Sequence, residues 1–385
     1  MTKHLANSGA TEINFVRGAG CFLFDEAGKK YIDFLGGWCV ATVGWKHPEM
    51  EKALAEAGKL GLYVPPSFGW PEWDKFAERL CRLAPGNLSR AFRCTSGSEA
   101  VEFAIKLARA ATGRKKIISV EGVYHGHTYG AATVGTGLTS AMAPGVPEMQ
   151  KISLRDGVTE FEKIANGGDV AAFLSEPVFT NAGAIIPPAD FYPHIAQICR
   201  KQDILLVMDE VATGFGRTGK MFASEHWNLE PDIICLGKAI SGGYATLGAT
   251  LTTEEVFEKG QDIPLYSTFG WMPSSLVVAR RNVELIAEEK LVENSAKLGE
   301  YMLGKLKGLE KLPTVKEVRG LGLMFGIDLE PRGLSEKIYN DCLQQGLIID
   351  TAHHGTLFFT PPLCLDQKTA DQGIMILGKV LNEAG

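Results

Sequence analysis

Three groups of polar residues end or open segments that otherwise read as protein core. Lys238 follows the apolar run IICLG at 233–237, and Asp209 and Glu210 follow ILLVM at 204–208. Thr95-Ser96-Gly97-Ser98-Glu99 opens the helix-like stretch AVEFAIKLARAATG. A lysine amine held where water is scarce loses proton affinity and becomes a nucleophile toward carbonyls. Taken alone, Lys238 equally reads as a side chain snorkelling out at a strand end. A carboxylate at a strand end can hold a metal, act as a base, pair with a cation or cap a helix. A glycine among small hydroxyl residues at a helix start exposes backbone N–H groups in front of the positive end of the helix dipole, which suits phosphate. The same residues also serve as an ordinary cap, with Ser96 and Glu99 spaced as a capping box.

Together the three groups select one chemistry. A nucleophilic lysine, an acid that keeps a pyridine nitrogen protonated and a helix start that cradles a phosphate are the attachment points of pyridoxal 5′-phosphate. In open α/β sheets ligands bind beyond the carboxyl ends of the strands, where these groups are expected to stand. A rival reading comes from GFGRTG at 214–219, which fits the GxGxxG pattern of dinucleotide sites. Five residues, two of them acids, separate it from the strand end at Met208, and no long helix opens from it. It therefore lacks the strand–turn–helix context that gives the pattern its meaning.

The elements that must position these groups follow from periodicity. β-like runs at 116–120, 171–175, 203–208 and 232–236 alternate with helical patterns at 73–83, 98–112 and 190–201. That alternation predicts an α/β fold, a mostly parallel sheet sandwiched by helices. Residues 20–35, GCFLFDEAGKKYIDFL, read as a hairpin turning at 25–28. After a helical run at 274–290 the rhythm changes, which predicts a smaller α+β domain. A chain of 385 residues also exceeds one ordinary core. The expected division is an N-terminal segment 1–50 that joins the small domain, a large cofactor-binding domain 51–289 and a C-terminal small domain 290–385.

Composition excludes other classes. With 39 basic against 45 acidic residues, a net charge of −6, there is no broad basic surface for nucleic acid. No apolar run approaches membrane-spanning length, and MTKHLANSGATEIN lacks the apolar core of a signal peptide, so a cytoplasmic location is expected. The eight cysteines form no CxxC pair, which predicts reduced, buried thiols and no structural zinc.

Over nearly the whole chain the sequence resembles the class III (ω-type) aminotransferases, pyridoxal-phosphate enzymes of fold type I. The likeness runs through FVRGAGCFLFDEAGKKYIDFLGG, TSGSEAVEFAIKLAR, GVYHGHTYGA, LSEPV, VMDEVATGFGRTGKMFA, PDIICLGKAISGGY, YSTFGWMP and VRGLGLMFGIDL. It implies Lys238 as the Schiff-base lysine and Asp209 as the partner of the pyridine nitrogen. Gly97 and Ser98 become the phosphate cradle. Tyr124 stacks on one ring face, Val211 packs on the other, and His125 and Glu176 belong to the same cofactor site. His125 and His127 supply too few ligands for a metal, and none is expected. Thr268 resembles the threonine that reaches the phosphate in the neighbouring subunit, so the resemblance implies a homodimer with shared active sites. It also implies transfer of an amino group from an amine to a keto acid or aldehyde through a Lys238 Schiff base and a pyridoxamine form. An aminomutase or racemase of the same family is the alternative.

The sequence departs from the glutamate-using members of that family at two linked positions. They carry an arginine three residues before a Pro-Pro pair, where this chain has Phe358, and a glutamate five residues after the EP glutamate, where it has Asn181. Losing both is physically coherent, because either charge alone would be left unpaired in an enclosed pocket, and without the arginine a bidentate carboxylate clamp is gone. Ala212 replaces a common glutamine, while Trp271 and Met272 replace a common Gly-Asn. With Trp38 and Phe358, Trp271 is expected either to line a bulky, apolar substrate pocket or to serve as packing. The balance favours an amine or ω-amino donor over acetylornithine-type specificity.

Overall fold

The computed structural model describes residues 13–352 and 355–385. The chain opens with β1 (Phe15–Ala19), β2 (Phe22–Asp25) and β3 (Lys30–Asp33). The last two pair antiparallel with Phe24 opposite Lys30, which is the hairpin read from the sequence. Their sheet is completed by β13 (Leu347–Ile348), which runs parallel to β3 and so joins the two ends of the chain.

The large sheet contains β4 (Leu88–Cys94), β5 (Lys116–Val120), β6 (Met149–Ile152), β7 (Val170–Ser175), β8 (Leu205–Asp209), β9 (Ile233–Leu236) and β10 (Gly248–Thr253). Their order is β4-β10-β9-β8-β7-β5-β6. All pairings are parallel except the two made by β10. All six residues of β7 and all four of β9 are buried, as expected of central strands covered on both faces. This is why they read as continuous apolar runs. Periodicity did not single out three strands: β4 and β10 mix in Ser, Arg and Thr and give no clean apolar run, and β6 is only the four residues MQKI.

The direction of each strand sets the site. β5, β7, β8 and β9 are mutually parallel, so their carboxyl ends share one edge of the sheet. β10 is antiparallel to both β9 and β4, so β4 points the same way as β9. The segments after β4, β5, β7, β8 and β9 therefore all emerge at that edge.

Helices Pro48–Lys59, Pro71–Leu83, Gly97–Thr112, Phe191–Lys201 and Pro273–Glu288 flank the sheet. A third sheet has the order β11-β12-β15-β14, from β11 (Val315–Leu321), β12 (Met324–Leu329), β14 (Asp350–Ala352) and β15 (Thr356–Phe359).

GFGRTG acts in this fold as a clamp. Arg217 is fully buried, and its guanidinium donates to the carbonyls of Ala41, Leu323 and Pro361, linking an N-terminal segment to two C-terminal ones. The eight cysteines are free, with Cys21 Sγ 3.6 Å from Cys364 Sγ. Among the described residues no helix is long and apolar enough to cross a membrane.

Candidate active site

Lys238 follows β9 after the single residue Gly237 and opens a single 3-10 turn, half-buried, with φ at 42°. Gly237 before it leaves room for close approach. A Cβ there would stand 3.2 Å from the Cα of Gly97 and 3.2 Å from Cγ1 of Val211. A Cβ on Gly97 would meet the same Val211 methyl at 2.6 Å. Lys238, the start of helix 97–112 and Val211 are thus brought together by two glycines, one at a tight approach and one where an added Cβ would clash.

Asp209 ends β8 and is buried. Its Oδ2 lies 2.6 Å from Nδ1 of His125, and its Oδ1 accepts the Val211 N–H at 3.0 Å. Nε2 of His125 is buried without a hydrogen-bond partner among the described residues. Its neighbour Glu210 does unrelated work. It accepts from Thr213 and Ser224 hydroxyls and from the Ala223 and Ser224 N–H groups, which fastens the loop carrying Arg217.

Glu176, just after β7, is buried and accepts the Tyr124 N–H at 2.9 Å and the Thr180 hydroxyl. Burial pushes its carboxyl up to about 7; Asp209 adds to the rise, while His125 and the donors from Thr180 and Tyr124 oppose it. The Tyr124 ring is half-buried and packs edge-on against His127, 5.3 Å between centroids.

At the helix start Ser96 Oγ accepts the Glu99 N–H at 3.2 Å, one half of the expected capping box. The other half differs: the Glu99 carboxylate takes the N–H and hydroxyl of Thr95 instead of the Ser96 N–H. Ser98 Oγ accepts the His127 N–H at 3.3 Å, and a Cβ on Gly126 would strike that oxygen at 2.1 Å. The helix start is therefore packed against the loop of Tyr124 and His125.

The profile of the family described as aminotransferase class III matches residues 5–381. An acetylornithine aminotransferase of Archaeoglobus fulgidus is 34% identical over 94% of this chain and 93% of its own length. The chain belongs to the class III aminotransferases.

Among solved structures, an amine transaminase from an uncultivated Pseudomonas species in its PLP-bound form has a TM-score of 0.93 at 28% identity, covering 100% of this chain and 98% of that one. An (S)-enantioselective omega-transaminase from Thermomicrobium roseum has a TM-score of 0.92 at 30% identity, covering 97% of this chain and 93% of that one. The curated relative and the structural neighbours thus carry different substrate names.

The residues that depart from the family pattern sort into two groups. Phe358, at the centre of β15, is fully buried, with Trp38 stacked on it at 5.4 Å between centroids and 28° between planes. Trp38 is presented by an unusual turn in which Gly36, Gly37, Trp38 and Cys39 have φ of 58°, 62°, 62° and 63°. Left-handed backbone costs each non-glycine residue about 1–2 kcal/mol. Asp33 Oδ1 offsets this by accepting the Leu35 and Gly36 N–H groups, and the Thr360 hydroxyl accepts the Cys39 N–H.

Of the two readings left open for Trp271, its surroundings match packing. It is 1% exposed, its indole N–H donates to the Gly248 carbonyl, and it packs edge-on against Phe76 in the core. Thr268 is exposed beside Tyr63 and Phe269, and its carbonyl accepts the Tyr63 hydroxyl at 3.0 Å. Two features near the candidate site were not singled out in the sequence: Thr180, which carries only the signal of a hydroxyl four residues after Glu176, and Asp350, which lies opposite Phe358 in the β14–β15 pairing.

Proposed function

We propose that this aminotransferase binds pyridoxal 5′-phosphate at the edge formed by Lys238, Asp209, His125, Val211, Tyr124, Glu176, Gly97 and Ser98, and takes its amino group from an amine or ω-amino donor. Three observations support a fit to the cofactor: a buried carboxylate with a histidine behind it, glycines that clear space beside the lysine, and a helix N-terminus packed on the same loop. When bound, the cofactor supplies a protonated ring that draws off electron density from the substrate carbon. Lys238 would anchor it and, once displaced by a substrate amine, take and return a proton at the carbon bearing that amine. Asp209 would hold the proton on the ring nitrogen, with His125 fixing its orientation. Gly97 and Ser98 would receive the phosphate with their N–H groups, and Tyr124 and Val211 would sandwich the ring.

The observation that carries the donor class is Phe358, sealed under Trp38 where a carboxylate clamp would need an arginine. The exposed Thr268, Tyr63 and Phe269 favour a homodimer in which Thr268 completes the neighbouring site. We read residues 51–289 as the large domain, with 1–50 and 290–385 forming the small one, and the enzyme as cytoplasmic. An amine-donor panel with pyruvate and 2-oxoglutarate as competing acceptors tests the assignment. Turnover of simple amines with pyruvate is expected, and strong preference for glutamate with 2-oxoglutarate would overturn it. The aminomutase or racemase alternative is not favoured. It requires turnover on one amine alone, whereas a transaminase stops after one half-reaction.

A further inference from the structure

The wall that replaces the carboxylate clamp carries an acid. Asp350 on β14 stands opposite Phe358 on β15, and Phe358 lies under Trp38. The Trp38 indole lies beside the Asp350 carboxylate, close enough to favour its charged form, and the Thr351 N–H donates to Oδ1 at 2.6 Å. Among the described residues no cation pairs with this half-buried carboxylate; burial raises the Tyr339 phenol, and the charge of Asp350 adds to that rise.

The segment that carries Trp38 reaches the loop that follows Lys238. The turn that presents Trp38 continues into Val40, Thr42 and Trp45, which pack on the loop after Lys238. A Cβ on Gly243 would lie 3.0 Å from Cγ1 of Val40 and 3.1 Å from the Trp45 ring, and one on Gly242 would lie 2.8 Å from Oγ1 of Thr42. On the other side, Gly183, in the loop that follows Glu176, abuts Thr356 of β15. The arginine on this sheet, Arg319, offers no substitute clamp: it is bound by both oxygens of Asp328 at 2.8 and 2.9 Å and donates to the Gly183 carbonyl.

We infer that Asp350 is a specificity-determining residue that receives the distal ammonium of an α,ω-diamine, so that the donor of choice carries a second, cationic nitrogen. The inference rests on the amine-donor reading of the site and narrows it. The apolar face of Trp38, seated on Phe358, suits the methylene chain of such a donor, and the acid suits its far end. An ω-amino carboxylate of the same length would bring a second negative charge against Asp350, which is disfavoured where water is limited. Burial pushes the Asp350 carboxyl above its usual range, and a bound ammonium would relieve that cost.

The test uses the cofactor-loaded enzyme with pyruvate and a donor series of two to six methylenes: α,ω-diamines, the matching n-alkylamines and the matching ω-amino carboxylates. The best diamine is expected to exceed its matching monoamine in kcat/KM by about tenfold or more, the worth of a hydrogen-bonded charge in a partly buried setting. Asp350→Asn brings that ratio to near one, and Asp350→Glu keeps most of it. Asp350→Lys moves the preference toward the ω-amino carboxylate.

A second readout avoids turnover: in Lys238→Ala loaded with cofactor, Kd values for diamine and monoamine follow from the change in cofactor absorbance, and Asp350→Asn in that background removes their difference. A diamine-to-monoamine ratio unchanged by Asp350→Asn, or a wild-type preference for the ω-amino carboxylate, overturns the inference. Monoamines reacting with no diamine preference sink this inference while leaving the amine-transaminase reading standing. Failure of every amine to alter the cofactor absorbance sinks both.

Discussion

Nδ1 of His125 lies 2.6 Å from Oδ2 of Asp209, with both side chains buried and the other imidazole nitrogen without a partner among the described residues. In the proposed site the pair would fix the direction of the carboxylate that meets the cofactor ring. His125→Phe keeps the ring volume and removes the hydrogen bond, leaving a buried carboxylate with only the Val211 N–H. Cofactor affinity measured by equilibrium dialysis is expected to fall about tenfold or more, from the loss of a charged hydrogen bond. His125→Asn, which returns a donor near the Nδ1 position, should recover part of it. Equal affinity in all three proteins would remove His125 from the site.

Glu176 makes stability depend on pH in a stated direction. Its folded carboxyl titrates at about 7 against an ordinary value of 4.5, so between those values the folded protein holds a proton that the unfolded chain releases. The contribution is full below about pH 4.5 and is lost as pH rises through about 7. It is at most about 3 kcal/mol. Thermal melts of the cofactor-free protein should show Glu176→Gln with a flatter profile than wild type from pH 5 to 8. Parallel profiles would show that Glu176 does not titrate in that window.

The chemistry was legible in the sequence because it depends on residue type at strand ends, and strand ends announce themselves where apolar runs stop. Lys238 after IICLG and Asp209 after ILLVM are of that kind. The parallel core of the sheet was legible for the same reason, since β7 and β9 are apolar on both faces. β4 and β10 were hidden because edge and antiparallel strands tolerate polar faces, and their Arg and Thr residues break the pattern. The fate of Trp271 depends on long-range packing: whether an indole lines a pocket or fills a core is set by Phe76 and Gly248, distant in sequence. The role of Asp350 depends on strand register, since only the pairing of β14 with β15 puts it opposite Phe358.

Arg217 gives the clearest stability prediction. Its buried guanidinium serves the carbonyls of Ala41, Leu323 and Pro361. Burial alone pushes its proton affinity down, with Asp33 among the groups opposing that shift. Arg217→Met retains a long apolar side chain and leaves those carbonyls without their donor. At roughly 1 kcal/mol or more for each lost partner, a loss of about 3 kcal/mol is expected. The midpoint of a thermal melt should fall by roughly 5 °C or more. A dinucleotide-site reading of GFGRTG would instead predict that the variant loses nicotinamide-cofactor binding with little change in melting.

Phe358 and Asn181 are expected to behave as one unit. Phe358→Arg alone puts a guanidinium into a fully buried position under Trp38, with no acid supplied by Asn181. Asp350 stands opposite position 358 and would engage that guanidinium, yet burying even a paired charge carries a desolvation cost, so this variant should melt lower than wild type and, with its guanidinium taken by Asp350, gain nothing with 2-oxoglutarate. Asn181→Glu alone adds an unpaired acid and should weaken the protein less, because Asn181 is only half-buried. The double variant restores both charges, and part of the stability lost in Phe358→Arg should return. A double-mutant cycle on melting midpoints would read that coupling, with about 1 kcal/mol or more expected for a contacting charged pair. The rate with 2-oxoglutarate relative to pyruvate should rise in the double variant only. Strict additivity would mean that the two positions do not face each other in this enzyme, and that the loss of the clamp at Phe358 was not linked to Asn181.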